Sequence, residues 1–169
     1  LIAITIKAQK MFSFSKKKKL VNNIGTYLHA QLLRAAQENN LADQRINEMF
    51  SSGYIYGLTA ESFRLNGYDW EQLTEKYLEH ICNGVYPNKL FNIVQNCVAK
   101  MTLIDGIEKL TEKMKEEKLD FNNGISHGRK DATTIELHRG SYNSGFLYFY
   151  LTSDGRDDFY RLDEENKKL

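Results

Sequence analysis

A single proline, Pro87, interrupts a chain of 169 residues. So few breakers favour long helices over a many-turned β protein. Cysteine is almost as scarce. Cys82 and Cys97 stand far apart, outside any CxxC or Cys/His cluster. That pattern argues against a disulfide scaffold or a structural zinc site. Both read as reduced, buried small hydrophobes of a cytoplasmic protein. No apolar run approaches the roughly 18 residues a membrane span needs. The opening "LIAITIKA" is too short, and lacks the cleavage site, for a secretory signal.

Local catalytic signatures are missing as well. The chain has no GxSxG, no SxxK, no phosphate loop, no GxGxxG and no EF-hand pattern of alternating acids. His29, His80, His127 and His138 form no HxxxH or HExxH pair. Helical metal sites normally use ligands at i, i+3 or i+4, so scattered single histidines nominate none. Neither a catalytic residue, a metal nor a cofactor is expected, and the protein reads as non-enzymatic. A site assembled from single residues on several helices would leave no such signature. No repeat of solenoid length is visible.

What is present suits a globular domain. Hydrophobic residues make up 41% and charged residues 27%, enough for a real core in a chain of this length. Ten tyrosines and nine phenylalanines supply many anchors. Net charge is only +1, so no global field steers the protein toward nucleic acid or membranes. The charge is uneven, however. Residues 1–19 hold Lys7, Lys10, Lys16, Lys17, Lys18 and Lys19 and no acid.

The periodicity predicts a mainly α, single-domain bundle of about five helices with a small C-terminal β-hairpin. Residues 1–16 read as a basic flexible arm, 17–135 as the helical domain and 136–169 as hairpin and tail. Val21, Ile24, Leu28, Leu32 and Ala35 mark a first helix from about Lys17 to Gln37. A second covers about Leu41 to Leu65 and stops at Gly67. Asp69 and Gln72 offer a capping box for a third, with Trp70, Leu73, Tyr77 and Ile81 as its apolar face. Pro87 opens a fourth, which the beat of Ile104, Ile107, Leu110 and Met114 continues through a bend at Gly106 to Glu117. A fifth covers about Asp120 to Ile135. Beyond it, "FLYFYLT" and "RDDFYRL" flank Asp154-Gly155, a two-residue hairpin signal, with "TTIELH" (133–138) available as a third strand.

Four glycines fall inside apolar stripes: Gly53 and Gly57 on the second helix, Gly124 and Gly128 on the fifth. Each costs roughly 0.5–1 kcal/mol of helix propensity. The reading that explains this cost pairs the two strips, so that backbones approach closely and dispersion compensates. An intermolecular version would make a homodimer. Asp131, beside Gly128, reads as a buried acid paired with an arginine such as Arg34 or Arg64.

For function, the leading expectation is a protein-interaction domain that binds a partner protein through its aromatic surface or its hairpin. The first alternative uses Lys16, Lys17, Lys18 and Lys19 to hold nucleic acid or an acidic membrane surface. A helix-turn-helix near 66–70 is a poor candidate, since its second helix carries Glu71, Glu75 and Glu79 and no arginine. The second alternative is a ligand-binding or enzymatic pocket between helices, lined by Tyr54, Tyr77 and His80.

Overall fold

A computed structural model describes residues 2–38, 45–46, 48–69, 75–85, 89–137 and 145–153, with side chains for those within 16–133 and 145–153. Six helices lie among them: α1 (Ile2–Glu38), α2 (Met49–Leu65), α3 (Glu75–Val85), α4 (Leu90–Asp105), α5 (Glu112–Leu137) and α6 (Phe146–Thr152). The described residues contain no strand, so the fold there is an all-α bundle. None of these helices is long and apolar enough to cross a membrane.

Helix α2 is the central element. Eleven of its seventeen residues are buried, including polar Ser51, Ser52, Thr59 and Ser62. Small residues let neighbouring helices close in on its buried faces. Its C-terminus is a complete Schellman turn. Gly67 adopts φ +75, its N–H bonds to Arg64 O at 3.0 Å, and Tyr68 N–H reaches Phe63 O at 3.0 Å. The apolar clasp that usually accompanies this motif is present too, since the Phe63 and Tyr68 rings lie 5.9 Å apart.

The bend expected at Gly106 is a full break. Helix α4 ends at Asp105, and α5 starts at Glu112. Thr111 supplies the new cap, its Oγ1 accepting the Met114 N–H at 3.3 Å. The near-helical beat across this gap misled because Ile107 does not share the buried face with Ile104 and is 41% exposed. Helix α5 therefore gains its charged first turns from the segment assigned to the preceding helix.

The hairpin's first strand is also corrected. Residues 146–152 are helical, and 133–137 belong to α5. In a strand, alternate residues would face the core. Here Leu147, Tyr148, Tyr150 and Leu151 are buried while Phe149 is half-exposed, which is helical spacing. The second strand of the expected hairpin, along with the capping box at Asp69 and Gln72, falls wholly or partly outside the described residues.

Helices α2 and α5 meet through their glycines. A Cβ on Gly53 would run into the Phe121 carbonyl, and one on Gly57 would stand 2.7 Å from Ile125 Cα. Reciprocally, a Cβ on Gly124 would sit 2.7 Å from Tyr54 N, and one on Gly128 2.6 Å from Leu58 N. Residue numbers rise together along the two helices, so the pair is parallel. Where each Cβ would be, a glycine hydrogen instead points toward a carbonyl of the other helix: Phe121, Ile125, Phe50 or Tyr54. Such Cα–H···O contacts are worth about 0.5 kcal/mol each, and the gain in backbone dispersion comes on top.

The reciprocity reflects a shared pattern. Phe50, Gly53 and Gly57 on one side match Phe121, Gly124 and Gly128 on the other, as F-x-x-G-x-x-x-G twice. The rings follow the same local two-fold. Phe50 meets His127 at 5.6 Å, and Phe121 meets Tyr56 at 6.2 Å, with Tyr56 and His127 at equivalent positions. The preceding helices share a spacing of buried residues without sharing the same packing. Buried Ile24, Tyr27 and Gln31 of α1 match buried Val94, Cys97 and Met101 of α4. The two-fold is confined to the α2–α5 pair, and α3 lies inside the crossover that this parallel pair requires. The larger cluster draws on all six helices, Leu90 and Val94 of α4 and Ala132 of α5 included, and the smaller gathers Cys97, Met101, Ile104 and Phe121 with Ile125.

Candidate functional site

The two sides of the α2–α5 pair differ where α6 docks. On the α4 side, Met101 and Ile125 share an apolar cluster. At the equivalent positions on the α1 side stand Gln31 and Tyr54, and Gln31 Nε2 donates to Tyr54 OH at 3.1 Å. Tyr54 OH in turn donates to Asp131 Oδ2 in a short hydrogen bond. Tyr27 OH is bonded to the same pair. Asp131 thus lies buried among two phenols and an amide, and its partners are not arginines. Arg34 instead pairs with Glu38 at 3.4 Å, and Arg64 pairs with Glu61.

This cluster spends its acceptors on backbone. Asp131 Oδ2 accepts the Phe146 N–H at 2.8 Å, and Gln31 Oε1 accepts the Tyr148 N–H at 3.0 Å. Both N–H groups belong to the first turn of α6, where no intrahelical partner exists. At the other end, Arg45 Nη1 donates to Tyr150 O and to Ser153 Oγ, each at 2.9 Å. Side chains far away in sequence therefore cap both ends of a seven-residue helix. Its rings add contacts: Tyr150 stacks on Phe50 at 4.2 Å, and Phe146 meets His127 edge-on at 4.5 Å. Arg34 lies over Tyr148 at 4.3 Å, and Tyr148 OH donates to Glu38.

Burial dominates the electrostatics. It raises the Asp131 carboxyl above its usual range, against the lowering effect of hydrogen bonds from Tyr54, Phe146 N–H and Tyr27. Burial and the nearby Asp131 charge also hold the Tyr27 and Tyr54 phenols well above theirs. The Cys82 thiol is pushed up to about 12 by burial alone, so it is a poor nucleophile. A perturbed carboxylate beside two tyrosines resembles an acid–base site in composition. Its geometry is that of a sealed structural cap.

The nominated ligand residues separate. Tyr54 is fully buried in the cluster just described. Tyr77 and His80 instead line an open cleft of about 540 Å³ between α1 and α3, with Lys18, Val21, Lys76, Glu79 and Asn83. The four consecutive lysines separate too, because successive residues point about 100° apart around a helix. Lys17 lies over the Tyr68 ring at 4.7 Å, while Lys18 borders the cleft. Gly53, Gly57, Gly124 and Gly128 form the α2–α5 contact and face no solvent. Among the described residues, no group of three or more His, Cys, Asp or Glu could hold a metal ion.

Sequence reasoning missed Gln31, Arg45 and the capping role of Asp131. The available signal was Gln31 on the buried stripe of α1, between Leu28 and Ala35, where a polar residue needs a partner. No protein-family model matches the chain, and no curated protein or solved structure matches it.

Proposed function

We propose that this protein is a non-enzymatic interaction domain, a helical body that binds a partner protein. The observation that carries the reading is a pair of exposed apolar side chains at the α4–α5 turn. Leu103 is 71% exposed beside the α4–α5 turn, where Ile107 is also exposed. The two lie four residues apart in the chain, and neighbouring exposed apolar groups mark contact surfaces more often than scattered ones do. The perturbed acid–base cluster supports the non-enzymatic side of the reading, since its acceptors already hold α6. The divergence of Lys17 and Lys18 speaks against the nucleic-acid alternative, because phosphate binding needs a continuous basic face.

The test is affinity capture from the source cell with tagged parent protein and the Leu103→Asp/Ile107→Asp variant. Both positions are exposed, so unchanged circular dichroism is expected. The reading requires a protein captured by the parent, lost with the variant and insensitive to nuclease. Capture that the variant retains would refute the assigned surface, and capture abolished by nuclease would favour a nucleic-acid partner.

A further inference from the structure

The cleft between α1 and α3 has a chemistry independent of the α4–α5 end. Its volume of about 540 Å³ falls within the range of small-molecule sites. Lys76, His80 and Asn83 descend one face of α3 at i, i+4 and i+7, and Lys18 and Val21 face them from α1. Val21 is buried and forms an apolar floor with the Tyr77 ring.

This wall is preorganised. The Tyr77 ring meets Phe63 at 5.8 Å, and Phe63 is fully buried in α2. Phe63 also meets Tyr68, whose face carries Lys17. Lys17 is thereby directed to Tyr68, and Lys18, one residue on, reaches the cleft. Among the described residues, neither Lys18 nor Lys76 takes part in an ion pair. Glu79 is the acid among the described lining residues.

We propose that this cleft binds a small amphiphilic organic anion, with its charged head between Lys18 and Lys76 and a flat apolar body against Val21 and Tyr77. The observations select this occupant over two simpler ones. A neutral apolar molecule would make no use of the two exposed lysines. A small hydrophilic ion would leave the floor uncovered. Only an occupant with both parts complements the cationic rim and the apolar base together.

The experiment uses the full chain and two probes of one skeleton, anionic 8-anilinonaphthalene-1-sulfonate and neutral N-phenyl-1-naphthylamine. Fluorescence titration gives affinity, and amide chemical-shift mapping gives the location. The expected result is single-site binding of the anion, with shifts confined to residues around 18–21 and 76–83. The neutral probe should bind about tenfold more weakly, and the Lys18→Gln/Lys76→Gln variant should weaken the anion about tenfold. Raising salt to about 0.5 M should lower the parent's affinity and leave the variant's nearly unchanged. Both lysines are exposed, so the variant keeps its fold. Shifts centred elsewhere, equal binding of both probes, parent-like affinity in the variant, or no binding of the anion would each overturn the proposal.

Discussion

The carbonyl of Tyr54 lies where a side chain on Gly128 would begin. This relationship is backbone to backbone, so no rotamer change can relieve an added methyl group. Gly128→Ala, and likewise Gly57→Ala against Ile125, should each destabilise by about 3 kcal/mol, the upper end of ordinary overpacking. Urea unfolding followed by circular dichroism measures this directly. Midpoints equal to the parent's for both variants would mean the helices are not in contact there.

Gly84 is the internal control. It also lies in a helix, α3, but nothing stands within 4 Å of a Cβ built on it. Alanine there removes the entropy cost of glycine without meeting a neighbour. Gly84→Ala should therefore stabilise by about 0.5 kcal/mol. The sign difference between Gly84 and Gly128 separates helix propensity from interhelical packing in one melting experiment.

These glycines were legible because a residue's place on a helical face follows from spacing alone. Pairing Gly53 and Gly57 with Gly124 and Gly128 needs only the apolar stripe. The partner of Asp131 was not legible, because Tyr27, Tyr54 and Phe146 come from three other elements. Helix α6 was misread for the same reason. Its seven residues are rich in β-formers, and the groups that cap it sit at Gln31, Arg45 and Asp131. Local propensity pointed to a strand, and tertiary hydrogen bonding decided for a helix. The repeated F-x-x-G-x-x-x-G was visible in principle, but its two copies are too far apart for a search at solenoid periods.

Asp131 makes stability depend on pH with a definite sign. Its folded-state carboxyl titrates above the usual 3.8, chiefly through burial. Between that ordinary value and the raised one, the folded protein holds the proton more tightly than the unfolded chain does. This contribution is therefore complete below the unfolded value and is lost as pH rises through the folded one. An asparagine in its place would keep an acceptor for the Phe146 N–H without titrating. Asp131→Asn should thus remove part of the fall in stability as pH rises from about 4 toward neutrality. Denaturation midpoints at a series of pH values give the two slopes, and equal slopes would show that Asp131 is not the linked group.

Arg45 holds the other end of α6. It is buried, and one of its nitrogens satisfies both the Tyr150 carbonyl and the Ser153 hydroxyl. Methionine would retain much of the stem's packing but donate nothing. The Tyr150 carbonyl would then lose a charge-assisted bond in a place water reaches poorly, at a cost of about 2 kcal/mol. Ser153 Oγ also donates to the Tyr150 carbonyl, at 2.9 Å, but α6 is short and Arg45 is its charged C-terminal donor, so the loss should appear first as local opening. Amides of 146–152 in Arg45→Met should exchange about thirty-fold faster, while those in the buried centre of α2, from Gly53 to Thr59, change little. If both sets accelerate equally, α6 opens only when the whole body unfolds, and the helix is an integral part of the core instead of a docked element. Unchanged rates throughout would show that Arg45 contributes nothing to holding it.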